Sequence, residues 1–306
     1  MFGLRYHVAS LAAVFLALAV GILLGVALSG KISEADEALE RNQIQDLEQD
    51  LQAANERADS AARRGESAQE LLEEAYPALM EGRLEDTDVA VVFLGPVDQT
   101  VHADVERALR DAGSGIPVRV VALEAPLDVP ELQSTLEGDE VLAAYAEGGG
   151  DFGELGEGLG SELAAGGETP LWEAIREDLV VEQEGSEVPE VEGAVVVATW
   201  TPETAADGAE PDEASRSTQT LLDGLVHGLA SSGVPVVGVA TTGQARALTE
   251  LYRDQGISSV DNVDEPEGRL ALALLLAQAQ AGHYGVKDTA EDGVVPPFDS
   301  LPDEGE

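Results

Sequence analysis

The chain has no cysteine, so disulfides, thiolate metal sites and cysteine nucleophiles are all excluded. Compartment therefore cannot be read from cysteine usage. Lysine is almost missing, with only Lys31 and Lys287, and the remaining basic residues are arginine. Sixteen basic residues face 60 acidic ones, for a net charge of −44. Such a chain has nothing with which to neutralise phosphates, which excludes nucleic acid as a partner. The same argument excludes an anionic membrane surface as a partner of the soluble part. Two readings of the acidity stay open: a surface adapted to high salt, where self-repulsion is screened, or one that gathers cations.

Catalytic signatures are missing too. There is no Walker loop and no Gly-x-Ser-x-Gly elbow. Gly156, Gly158 and Gly160 mimic part of a dinucleotide fingerprint, but no strand pattern precedes them. The four histidines, His7, His102, His227 and His283, form no pair at helical metal spacing. Carboxylates are too numerous for any acid/base pair to stand out. Nothing here reads as an enzyme.

What is present begins with residues 8–30, which carry no charge. Roughly 20 residues cross a bilayer as helix, whereas a secretory apolar core is about 7–15 long. Length favours an anchor through Val8, Gly21, Gly25 and Leu28. A cleaved signal is the alternative, since Ala27 and Ser29 are spaced like a cleavage site; a buried soluble helix is another. Ser10, Ala13, Ala17, Gly21 and Gly25 recur at helical spacing and would let another membrane helix approach. Arg5 precedes the run; Lys31, Glu34, Asp36 and Glu37 follow it. The positive-inside rule places the amino terminus in the cytoplasm and the bulk of the chain outside.

A second pattern starts at Ile44 and repeats at three and four through Leu47, Leu51, Ala54, Ala58, Ala61, Gly65, Ala68, Leu72, Ala75 and Leu79. This is a heptad seam, rich in alanine, with a stutter near Asn42. A helix so polar elsewhere should pair, most simply with a second copy; the alternative is that it folds back on its own domain. The expected organisation is an anchor over 1–30, a coiled-coil stalk over 31–82, a parallel α/β domain over 88–285, and an extended, proline-containing acidic tail over 286–306. Strands are expected at "VAVVFL" (89–94), "PVRVVAL" (117–123), "GAVVVAT" (193–199), "PVVGVAT" (235–241) and "ISSVDNV" (257–263). They are continuous apolar runs alternating with helices, the mark of a parallel sheet covered on both faces. The fold class is a Rossmann-like or flavodoxin-like three-layer domain behind a transmembrane helix and stalk. The low-complexity run 148–168 reads as a mobile insertion.

In such sheets ligands bind beyond the carboxyl ends of the strands. The crevice candidates are Gly95, Asp98, Thr199, Trp200, Thr241 and Thr242. Thr242 and Gly243, at a helix start, could hold an anion. In the tail, Val294, Val295 and Phe298 are too apolar to hang free, so it should dock on the domain.

Three features together carry a resemblance: "LRYHVASLAAVFLALAVGILLG" at the start, the acidic coiled-coil segment after it, and "GHYGVKDTAEDGVVPP" behind the α/β domain. The chain resembles the actinobacterial MctB-type copper transporter family. The resemblance implies an envelope protein of copper homeostasis that removes copper or limits its level in the cell, with some members placed in an outer membrane as channels. One membrane helix per chain cannot line a pore, so a channel needs several copies. A membrane-tethered structural or interaction protein, whose head binds another envelope component, is the competing reading. Copper as a transported ligand also meets an awkward ligand set. Cu(I) prefers sulfur and Cu(II) imidazole, yet the methionines are only Met1 and Met80. No tight copper site is expected within one chain. An acidic path that binds cations weakly, a site shared between copies, or a partner would serve instead. His102, near Asp98 and Asp104, is the candidate for a transient ligand.

Overall fold

The computed structural model describes residues 3–138, 142–146, 152–184, 190–200 and 211–298, with the side chains of 3–10, 12, 27–48, 182–184 and 246–248 outside the description. Two compact units result, Met1–Glu70 and Leu71–Glu306. The elements in order are α1 (Gly3–Met80), β1 (Val89–Leu94), α2 (Gln99–Ala112), β2 (Arg119–Leu123), α3 (Val129–Gly138), α4 (Ala143–Ala146), α5 (Gly153–Ala165), α6 (Pro170–Leu179), β3 (Val180–Glu184), β4 (Gly193–Ala198), α7 (Glu213–Ser231), β5 (Val236–Val239), α8 (Arg246–Asp254), β6 (Ser258–Val260), α9 (Pro266–Leu276) and β7 (His283–Tyr284).

The first unit is the part of helix α1 up to Glu70. Its large apolar side chains are bare: Leu11, Phe15, Leu16, Ile22, Leu23 and Val26 are all more than half exposed. Nothing lies within 4 Å of a Cβ built on Gly21, Gly25 or Gly65. Among the described residues no helix is long and apolar enough to cross a membrane. The expected anchor is therefore not carried by the described residues; Val8 and Leu28, toward its two ends, have side chains outside them. The side chains of Ile44 and Leu47 of the seam also lie outside, and Leu51 is exposed.

The second unit is a seven-stranded sheet in the order β3-β2-β1-β4-β5-β6-β7. All pairings are parallel except β2 with β3. Taken alone, β2-β1-β4-β5-β6 follow the flavodoxin-like order, with the topological reversal between β1 and β4. The strands are apolar throughout because both faces are covered. Ala90, Val92 and Leu94 of β1 face a core with α3, α5, α6 and α7. Val89, Val91 and Phe93 face the opposite core with α2 and α9. Burying each such valine or leucine contributes about 1.5–3 kcal/mol.

The last turns of α1 belong to this second core. Leu72, Tyr76 and Leu79 pack against it and Met80 is fully buried. The Tyr76 hydroxyl donates to Asp111 Oδ2 at 3.1 Å, and the Arg269 guanidinium lies 5.9 Å from its ring centroid. Burial, with the Asp111 charge beside it, pushes the Tyr76 phenol up to about 12. Part of the expected seam thus serves intrachain packing from Leu72 onward.

The expected insertion at 148–168 needs correcting. Residues 148–151 lie outside the description, but 153–165 are helix α5, with Leu155, Leu159 and Leu163 in the core. The low-complexity pattern is a packing code. A Cβ on Gly156 or Gly160 would strike the backbone carbonyls of Leu221 and Leu225 on α7, and one on Gly224 or Gly228 would strike those of Gly153 and Glu157. Four glycines let two helix backbones touch, as small-residue pairs do in membranes.

Candidate functional site at the carboxyl ends of the strands

At the reversal between β1 and β4 the two strand ends are tied together. The amides of Thr199 and Trp200 both donate to the Leu94 carbonyl, at 3.1 and 3.0 Å. The Thr199 hydroxyl donates to Pro96 O at 2.8 Å. Gly95 has a φ of 118°, and a Cβ there would meet Thr199 Oγ1 at 2.7 Å. Gly95, Thr199 and Trp200 are thus brought together, with Trp200 half-buried against the core.

Asp98 has a local task. Its Oδ1 caps α2 by accepting from the amides of Thr100 at 2.9 Å and Val101 at 3.2 Å. His102 follows one turn later, its ring edge-on to Phe93 at 5.8 Å. Nε2 lies 3.9 Å from Glu106 Oε1, buried and without a hydrogen-bond partner. Asp104, expected beside it, is engaged with Arg107 and Arg269, each at 3.8 Å. Burial raises the Asp104 carboxyl above its ordinary range against the pull of Arg269.

The end of β5 carries an anion of the chain's own. The Thr242 amide donates to Asp264 Oδ1 at 2.8 Å and its hydroxyl to Asp264 Oδ2 at 2.5 Å. The position read as an anion cradle is occupied by this carboxylate. Thr241 donates its amide to Gln244 Oε1 at 2.9 Å, and its carbonyl accepts from Lys287 Nζ at 2.7 Å. Asp261, 2% exposed, accepts the amides of Val286 and Lys287 at 2.8 and 3.0 Å. Burial lowers the Lys287 ammonium, while Asp261 and Asp264 pull it back up. Sequence reasoning passed over Asp261, Asp264 and Lys287. The available signal was "DNVD" directly behind a strand, with one of the two lysines just past the last strand.

Among the described residues no group of three or more histidines, cysteines or carboxylates could hold a metal ion. His227 reaches Ser231 and His283 reaches Ser259, while the Met80 thioether is sealed in the core. Met1 lies outside the described residues, and so does the side chain of His7. An open depression of about 470 Å³ is lined by Thr135, Glu173, Arg176 and Glu177 from α3 and α6 and includes none of the strand-end residues. The strand ends can hold loops in register and screen a lysine; among the described residues they carry no sulfur ligand, and their one imidazole, His102, has its Nε2 buried.

A search of curated proteins found no match to the chain. A family described as copper transport outer membrane protein, MctB, does match, over residues 1–296. With nearly the whole length matched, from the apolar start to the tail behind the last strand, the chain belongs to the MctB family.

Proposed function

We propose that the chain is a membrane-anchored envelope protein of copper homeostasis, acting as an oligomer to remove copper or limit its level in the cell. The observation that carries this reading is the family match, which implies a role in copper transport. The anchor is supported by the uncharged run 8–30 and by the bare apolar side chains of α1. The amino terminus lies in the cytoplasm and the α/β unit outside it, in keeping with Arg5 before the run and the acids after it. Pairing of α1 with a second copy is supported by the heptad spacing up to Ala68 and the exposed Leu51. Copper is cargo in this account. It is held loosely by acidic groups, between copies, or by a partner, rather than in a tight site within one chain. The matched family is one of copper transport and not a known enzyme family, which supports a role without catalysis.

A second reading has its own observation. The strand ends are closed by the chain's own groups, Asp264 on Thr242 and Lys287 on Thr241, which suits a tethered head that binds another envelope component. Growth on graded copper separates the two. A strain lacking the protein should be more sensitive to copper than its parent and unchanged toward detergent. Equal copper tolerance with a weakened envelope would favour the tethered head.

A further inference from the structure

We propose that segment 286–298 is a strap that couples the carboxyl end of β5 to the last turns of α1, with Lys287 as its latch. The latched end is polar. Lys287 Nζ donates to the Thr241 carbonyl at 2.7 Å, and both Asp261 oxygens are taken by strap amides. The middle is pinned to α8. Thr249 donates to the buried Thr289 hydroxyl at 3.0 Å, Arg253 donates to the Thr289 carbonyl at 2.8 Å, and Arg253 pairs with Glu291 at 3.4 Å. The strap then returns past β7: the Gly285 amide donates to Gly293 O at 2.9 Å, and the Asp292 amide to His283 O at 3.2 Å. The far end is apolar. Val295 packs on the core that Leu72, Tyr76 and Leu79 join, Pro296 is buried, and the Arg83 guanidinium lies 5.7 Å from the Phe298 ring.

The location of the latch gives it meaning. Open parallel sheets take ligands at the carboxyl ends of their strands, and here a tethered ammonium already sits on the carbonyl of Thr241, two residues past β5. A cationic ligand reaching Thr241 must displace Lys287. The strap has no helix or long strand of its own, so losing one end lowers the free energy of opening the rest. Coupling of this kind is reciprocal: what loosens the latch loosens the far end, and the reverse. The inference does not depend on which cargo the chain handles.

Hydrogen exchange on the full chain tests it, with Lys287→Met at one end and Phe298→Ala at the other. Phe298 is 42% exposed, so its truncation leaves the core intact. Lys287→Met should speed exchange in peptides covering 78–84 and 294–298 by about tenfold, within the usual range of coupling between sites. Phe298→Ala should speed exchange at 241–243 and 286–287 by a similar factor. Amides of β1 and β4 should not change in either. An effect confined to the mutated end, in either variant, overturns the proposal. If Lys287→Met fails to fold, the Phe298→Ala arm decides alone.

Discussion

The ring of Tyr252 sits against Gly238, so close that a methyl group at position 238 would strike its Cγ and Cδ atoms. The tyrosine hydroxyl donates to the Val239 carbonyl at 2.9 Å and accepts the Ala198 amide at 2.7 Å. One fully buried side chain thus ties β4 to β5 where both strands end, and burial raises its phenol far above the ordinary range.

Gly238→Ala should lower unfolding stability by about 3 kcal/mol, because the ring and its two hydrogen bonds cannot yield together. Tyr252→Phe keeps the ring and leaves the buried Ala198 amide unpaired, a loss of about 1–3 kcal/mol. Chemical denaturation measures both. A Gly238→Ala variant as stable as the parent would mean that the ring does not lie where the structure has it.

The crossing of α5 and α7 depends on backbone contact. Gly160→Ala or Gly228→Ala should each cost about 3 kcal/mol or more, since a carbonyl cannot move aside as a side chain can. Gly158→Ala, whose nearest neighbours are the ends of Leu171 and Tyr145, should cost less. Comparing denaturation midpoints of the three orders them. Equal effects at 158 and 160 would contradict helix-on-helix contact.

How much of this was legible follows from the kind of signal each element gives. The β-branched runs at 89–94 and 193–198 can only be buried strands, and the structure pairs them in register along their whole length. The α5 helix was missed because glycine reads as flexibility in a window, while its packing role depends on Gly224 and Gly228 more than sixty residues away. Strand β3 was missed because "VVEQE" has two apolar residues and pairs antiparallel at the sheet edge, outside the alternating β-α pattern. At the strand ends, Gly95 and Thr199 could be placed together from sequence alone. The partners of Thr241 and Thr242 could not, because Asp264 and Lys287 arrive from later connections whose register no local pattern encodes.

His283 offers a pH test. Burial, with the Arg253 guanidinium near it, holds the imidazole below its ordinary range despite Asp292 and Glu291. A depressed folded value means that the unfolded chain takes up the proton first. The neutral histidine therefore supports the fold fully above pH of about 6.5, and that support is lost as pH falls toward the folded value. His283→Asn should lose less stability than the parent between pH 7 and pH 5.5. A steeper loss in the variant would reverse the sign of the argument.

The anchor and the stalk can be tested together on the full chain. It should pellet with membranes, resist alkaline extraction, keep its original amino terminus, and cross-link to itself when cysteines are introduced at position 54 or 58 on the seam. A mature start at Gly30 would sink the anchor; cross-linking no stronger than at the off-seam position 56 would sink the pairing.

The most direct test of the account is the copper content of cells lacking the protein, measured by mass spectrometry under a copper load. The account predicts a rise above the parent strain, with other metals unchanged. Full-length protein should restore the parent level, and so should the His102→Ala variant, since that imidazole packs edge-on to Phe93 with its buried Nε2 3.9 Å from the Glu106 carboxylate. Cell copper that does not change on deletion would contradict the central claim.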